Sequence, residues 1–213
     1  MKVIDIGTKQ GISIATFLRK VNKFFPSYEH SLSAKDCLGI DVDELYRHDL
    51  EGQGFSFTCG DITDSTFRGT LPSPEFFIVC NILHHFPSRR IVEELLLYVL
   101  DRAQYGVWFR LKSFETDNEN GEGVLLEHGL RFSWSENHIT YSCVEVFQVI
   151  RECCPKATIR IEPGKFIRHT KDTRVVPKET TSNAFYYDAS MGPKEHISLS
   201  KPVVCDWDIF VEK

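Results

Sequence analysis

Three carboxylates stand where this chain could hold a nucleoside. Asp5 lies in Val3-Ile4-Asp5-Ile6-Gly7-Thr8-Lys9-Gln10-Gly11, which reads as a strand, a glycine turn and a helix start. Asp41 ends the apolar run Leu38-Gly39-Ile40, and Asp61 follows Phe57-Thr58-Cys59-Gly60. A carboxylate closing the second strand of an α/β unit can accept hydrogen bonds from both ribose hydroxyls. Gly7 and Gly11 let the backbone turn tightly and approach a ligand without a Cβ clash. The helix that follows offers unpaired backbone N–H groups. Each acid also has an ordinary reading. Asp5 suits a turn, Asp41 a helix N-cap, and Asp61 an Asx turn. The specificity lies in the succession of acids at strand ends, closed by Cys80-Asn81-Ile82-Leu83-His84-His85-Phe86 after a fourth apolar run.

The elements that must position these residues follow from periodicity. Strands are predicted over residues 2–6, 37–42, 55–59, 76–83, 106–114, 157–162 and 203–211. Residues 76–83 are almost wholly apolar, as a central strand covered on both faces requires. Helices are predicted over 12–25, 89–102 and 142–153, the first carrying Ile14, Phe17, Leu18, Val21, Phe24 and Phe25 as one stripe before Pro26. The alternation of strands and helices predicts a mostly parallel seven-stranded sheet flanked by helices, an α/β fold of the Rossmann-like kind. In such a sheet all four strand ends lie on one rim, where open α/β folds bind ligands. Two stretches read as loops: 113–123, acidic and rich in Gly and Asn, and 164–202, polar and holding Pro177, Pro193 and Pro202 just after Pro163.

Composition narrows the classes. At 213 residues the chain fits one domain, predicted as a single unit over 1–213, with a cofactor-binding half (1–114) and a substrate-binding half (115–213). The net charge of −5 argues against indiscriminate nucleic-acid binding. The longest apolar run is too short to cross a bilayer, and no signal peptide is evident, so no membrane partner and a cytoplasmic location are expected. The seven cysteines form no Cys-x-x-Cys pair and no array at zinc spacing. Reduced thiols and no metal are expected, with Cys37, Cys59, Cys80 and Cys205 as small buried residues.

The four-part succession resembles the class I S-adenosylmethionine (SAM)-dependent methyltransferases, over about residues 2–114. The resemblance implies SAM as cofactor and S-adenosylhomocysteine (SAH) as product. Asp5, Gly7 and Gly11 then match the family's Asp-x-Gly-x-Gly-x-Gly loop around the methionine part. Asp41 matches the ribose-binding acid, Asp61 the acid that accepts the adenine amino group, and Ile62 lies beside the ring. Asn81 lines the transfer site. There is one departure: Lys9 replaces the middle glycine, which raises the question whether the loop keeps its shape and its affinity.

The resemblance leaves the methyl acceptor open between two classes. The segment Cys80–Phe86 is similar to the Cys-Gln-x-x-x-His-Tyr segment of mRNA cap guanine-N7 methyltransferases, which places His85 and Phe86 against the guanine of a capped RNA (GpppN). It is also similar to small-molecule methyltransferases of the ubiquinone-biosynthesis type. No Asn/Asp-Pro-Pro-Tyr/Phe motif, Pro-Cys nucleophile or Lys-Asp-Lys-Glu tetrad is present, which disfavours DNA-base and ribose methylation. The basic run Arg151, Lys156, Arg160, Lys165, Arg168, Lys171, Arg174 and Lys178 favours the RNA reading. So do the aromatics Phe132, Trp134, Tyr141, Phe185, Tyr186 and Tyr187, which can stack on bases. Guanine N7 has a free lone pair, so no general base is expected and catalysis is by positioning through Asn81, His85 and Phe86. Further substrate contacts are expected from Arg110, Lys112, Trp134, Tyr141 and a carboxylate, Glu127 or Glu136. Because the first strand begins at residue 2, the chain reads as a minimal enzyme or as a domain of a larger polypeptide such as a viral polyprotein, acting in the host cytoplasm. A third alternative is a degenerate, non-catalytic module of the same fold, for which Lys9 is the best support.

Overall fold

The computed structural model describes residues 1–112, 129–132, 141–169, 175–177 and 198–213. Its strands are β1 (Val3–Ile6), β2 (Cys37–Asp41), β3 (Ser56–Cys59), β4 (Phe76–Cys80), β5 (Gly106–Leu111), β6 (Leu130–Phe132), β7 (Thr158–His169), β8 (Val175–Pro177) and β9 (Ser198–Glu212). Seven of them form one sheet in the order β3-β2-β1-β4-β5-β9-β7, and β6 pairs with β8 separately. The pairs β3/β2, β2/β1, β1/β4 and β4/β5 are parallel. Only β9 runs against the rest, antiparallel to both β5 and β7. The predicted Rossmann-like, mostly parallel seven-stranded sheet is therefore observed. The strand order turns back between β1 and β4, and at such a switch point a crevice opens at the carboxyl ends of the strands.

The helices are α1 (Ile12–Phe24), α2 (Arg47–Gly52), α3 (Ser65–Thr70), α4 (Arg89–Arg102) and α5 (Cys143–Cys153). The sheet separates two cores, and the period-two alternation of its strands feeds both. On one face Phe76, Ile78 and Trp108 pack with Phe17, Phe24 and Phe25 of the α1 region and Phe210 of β9. The Phe24 and Phe210 rings stand 4.7 Å apart. On the other face Phe77, Val79, Val107 and Phe109 meet Val92, Leu96 and Val99 of α4 and Val146 and Ile150 of α5. Helix α5 starts with a capping box in which Ser142 and Glu145 each satisfy the other's backbone N–H.

Several boundaries differ from the predicted ones. Strand β4 stops at Cys80 rather than running to 83, because Asn81 turns to φ 55° and Leu83–His85 form a 3-10 turn. The expected loop over 164–202 is partly strand: β7 continues through Pro163 and Gly164 to His169, and β9 begins at Ser198. Prolines are tolerated there because β7 is an edge strand, and because Pro202 falls where the β7/β9 register shifts. Cys37 and Cys80 are buried as expected, but Cys59 is exposed at the end of the edge strand β3.

Candidate functional site

The crevice at the switch point contains two adjoining cavities. One, of about 320 Å³, is lined by Ile6, Gly7, Lys9, Ile40, Asp41, Val42, Gly60, Asp61, Ile62, Asn81, Ile82, His85 and Phe86. The other, of about 580 Å³, is bounded by the glycine loop, the first turn of α1 and the ends of β4 and β5. Gly7, Lys9, Asn81 and His85 belong to both walls. The ends of β1, β2, β3 and β4 thus meet at one rim, as the spacing of Asp5, Asp41, Asp61 and Asn81 requires.

The glycine loop keeps a regular alternation of conformation. Gly7, Lys9 and Gly11 all have positive φ, at 71°, 47° and 77°. The lysine therefore does not deform the loop; it adopts the left-handed conformation that a glycine would take at less cost. Two bonds help hold it there. The Lys9 amide donates to Asp41 Oδ2 at 3.0 Å, and the Gly7 amide donates to the Ile40 carbonyl at 2.8 Å. A Cβ on Gly7 would come within 2.3 Å of Ile82 Cδ1, so the close approach there requires glycine. Gly11 lines neither cavity; it caps α1 and gives no side chain to the cap.

The three acids have three different environments. Asp41 spans the loop and its own strand end, taking the Lys9 amide on Oδ2 and the Asp43 amide on Oδ1. The N-cap role conceived for it belongs instead to Asp43, whose carboxylate accepts from the Leu45 amide. Asp61 does form an Asx turn: Oδ1 accepts from the Thr63 amide and hydroxyl, both at 2.8 Å. Its Oδ2 has no hydrogen bond among the described residues and remains available to a ligand donor. Asp5 departs from its expected role. It is 1% exposed, lines neither cavity, and has no partner in hydrogen-bond geometry on either oxygen among the described residues. Burial pushes its carboxyl up to about 8; the adjacent Thr8 hydroxyl opposes this and the charge of Asp41 adds to it. Asp5 therefore underlies the loop rather than facing a ligand.

At the junction of the cavities, Asn81 combines a left-handed backbone with a buried Oδ1 that has no hydrogen-bond partner among the described residues. Its amide is fixed to the Arg110 carbonyl at 2.9 Å. An orphaned acceptor in a strained turn at a cavity wall is an arrangement that ligand donors satisfy. His85 is exposed and lines both cavities, while Phe86 and Ile62 line only the smaller one. Burial raises the Cys80 thiol well above its usual range, so it is held protonated and is not a nucleophile.

The substrate residues expected from sequence fare unevenly. Lys112 lines the larger cavity. Arg110 does too, but its guanidinium is held by Asp208 in a two-pronged pair, with both bonds at 2.8 Å. Trp108 Nε1 donates to the same carboxylate. Arg110 is therefore occupied rather than reaching out for a phosphate. Tyr141 is 5% exposed, packs in the α4/α5 core beneath Arg89 and lines neither cavity, so it is not a stacking platform. Arg151 caps the Pro155 and Ala157 carbonyls, and Arg160 caps those of Lys23 and Phe24, so neither belongs to an open basic stripe. Glu127, Trp134, Glu136, Phe185, Tyr186, Tyr187, Lys171, Arg174 and Lys178 lie outside the described residues, as do the side chains of Phe132, Lys165, Arg168 and Cys205.

Wall residues that sequence reasoning missed include Thr8, Gln10, Ser13, Thr16, Val42 and Trp108. Ser13 and Thr16 were findable as the i, i+3 pair of the first turn after the glycine loop. Trp108 is two residues before Arg110 and opposite Ile78 in register.

No protein-family model matches the chain, and no curated protein matches it in sequence. Solved structures do match it. A SAM-dependent methyltransferase from Archaeoglobus fulgidus superposes over the whole chain and 86% of its own length, with a TM-score of 0.57 at 13% identity. The fold is that of the SAM-dependent methyltransferases. Magnesium protoporphyrin IX methyltransferase (ChlM) from Synechocystis PCC 6803, with SAH bound, covers the whole chain and 74% of its own (TM-score 0.53, 11% identity). A possible histamine N-methyltransferase from Thermotoga maritima covers the whole chain and 82% of its own (TM-score 0.52, 12% identity).

Proposed function

We propose that this chain binds SAM in the crevice between β1 and β4 and transfers its methyl group to an acceptor in the adjoining cavity. The observation that carries this reading is the single continuous wall that runs from Asp61 and Ile62 through Asp41 and Lys9 to Asn81. Asp41 would receive the ribose hydroxyls, Asp61 Oδ2 the adenine amino group, and Ile62 would cover the ring. The glycine loop and the orphaned Asn81 Oδ1 would hold the amino-acid part. The bound cofactor supplies a methyl group on a positively charged sulfur, which needs no further activation. The work left to the chain is to bring an acceptor atom in line at near-attack distance and keep water out.

Among the described residues the larger cavity has no carboxylate in its wall and one imidazole, His85. That suits an acceptor already nucleophilic as bound, with no proton to remove. Guanine N7 of a GpppN-capped RNA is such an atom, and His85 at the cavity junction supports that acceptor, whereas Phe86 lines only the smaller cavity. A small-molecule acceptor is favoured by a different observation: Arg110 is neutralised by Asp208, and about 580 Å³ is the size of an ordinary small-ligand pocket. In either case the described wall residues of both cavities all lie within residues 1–112.

Two measurements test the proposal. SAH at ~100 times its Kd should raise stability by ~2.7 kcal/mol in thermal denaturation; no shift at millimolar SAH defeats the reading and leaves the non-catalytic module. Labelled methyl transfer, compared between GpppN-capped RNA and a panel of uncharged and charged metabolites, then identifies the acceptor. Binding to RNA that falls steeply with salt accompanies only the capped-RNA outcome.

A further inference from the structure

We propose that Lys9 is an anion anchor, and that the acceptor in the larger cavity carries a carboxylate or phosphate group that pairs with its ammonium. This rests on the methyl-transfer reading above and names the acceptor's charge.

Lys9 stands in the left-handed region at φ 47°, between two glycines that adopt it at no steric cost. A side chain at such a position is kept at an energetic cost of order 1 kcal/mol, and such strain clusters at ligand sites. The loop's bond to Asp41 uses the Lys9 backbone amide, so it does not call for a lysine side chain. That side chain is exposed, lines both cavities, and has no ion pair or hydrogen bond among the described residues.

The charges of the two cavities are segregated. The acids Asp41 and Asp61 belong to the smaller one. Among the described residues the wall of the larger one includes Lys9, His85, Arg110 and Lys112 and no Asp or Glu. Arg110 already has its counter-ion in Asp208, 2.8 Å away. The first turn of α1 adds to the same field. Ile12, Ser13 and Thr16 line this cavity, the Gly11 cap supplies no side-chain acceptor, and the turn contains no acid. The positive end of this helix borders the cavity, where the described wall residues supply no anion. A negatively charged acceptor supplies one. It would also be drawn toward the cationic donor, which places the reacting atoms together.

The test uses calorimetry at low ionic strength on the whole chain and on Lys9→Gln and Lys9→Arg. Pyrophosphate and glutarate, as phosphate and carboxylate probes, are titrated into protein preloaded with SAH. One of the two is expected to bind the native chain and so to name the group. Lys9→Gln should weaken it about tenfold or more and by more than it weakens SAH, and Lys9→Arg should retain it. The proposal is overturned if neither anion binds, or if Lys9→Gln binds it as well as the native chain. It is equally overturned if Lys9→Gln weakens SAH as much as the anion, since Lys9 then serves the donor's own carboxylate. Failure of SAH to bind the native chain defeats the methyl-transfer reading separately; the anion titrations without SAH then decide the role of Lys9.

Discussion

The backbone amide of Lys9 donates to Oδ2 of Asp41 across 3.0 Å, tying the turn after β1 to the end of β2. The second oxygen of Asp41 receives the Asp43 amide. One carboxylate therefore shapes the glycine loop and also stands in the wall of the smaller cavity. In the proposed reading, loop order and ligand binding are coupled through it.

Replacing Asp41 should reveal that coupling. Asp41→Asn keeps the shape but removes the charge and one acceptor. Hydrogen bonds to charged groups contribute ~1.5–3 kcal/mol, so SAH affinity should fall about tenfold to a hundredfold. Calorimetry with SAH checks this, and an unchanged Kd would mean the nucleoside does not sit against Asp41.

The conformation of Lys9 makes a stability prediction of its own. Lys9→Gly relieves the left-handed penalty but adds chain entropy to the unfolded state, two effects of ~1 kcal/mol and opposite sign. Its urea midpoint should stay near that of the native chain. Lys9→Val places a β-branched residue at positive φ and should lose more than ~1 kcal/mol. Equal midpoints for the valine and glycine variants would contradict the left-handed loop.

Asp5 makes stability depend on pH. Its carboxyl titrates near 8 when folded, against an ordinary value of 3.8, chiefly because it is buried. The folded state then binds a proton that the unfolded chain has released, so Asp5 makes stability fall as pH rises from about 4 to about 8. Asp5→Asn should flatten that part of the profile and melt higher than the native chain at pH 8. Scanning calorimetry across this range tests it; parallel profiles for the two proteins would show that Asp5 ionises freely.

Asp208 holds Arg110 and Trp108 from a strand far along the sequence. Asp208→Ala leaves a largely buried guanidinium without its counter-ion, which costs about 3 kcal/mol. The urea midpoint should drop with little change in slope. If stability is retained, the pair contributes little, and Arg110 is then available to a ligand in the larger cavity.

Much of this protein was legible in its sequence. The apolar runs of β1, β2 and β4, the stripe of α1 and the glycine turn are local patterns with local causes, and they sufficed for the sheet and its ligand-binding rim. The acids at 41 and 61 and Asn81 could be placed there because a strand end fixes where its last residue stands. What each group does on arrival depended on partners distant in sequence. That Asp5 lies under the loop follows from packing on all sides of β1. That Arg110 is neutralised follows from β9, which returns nearly a hundred residues later to lie beside β5. The burial of Tyr141 follows from the meeting of α4 and α5. Local pattern dictates backbone path and side-chain direction, whereas burial and pairing are sums over neighbours that only the folded chain brings together.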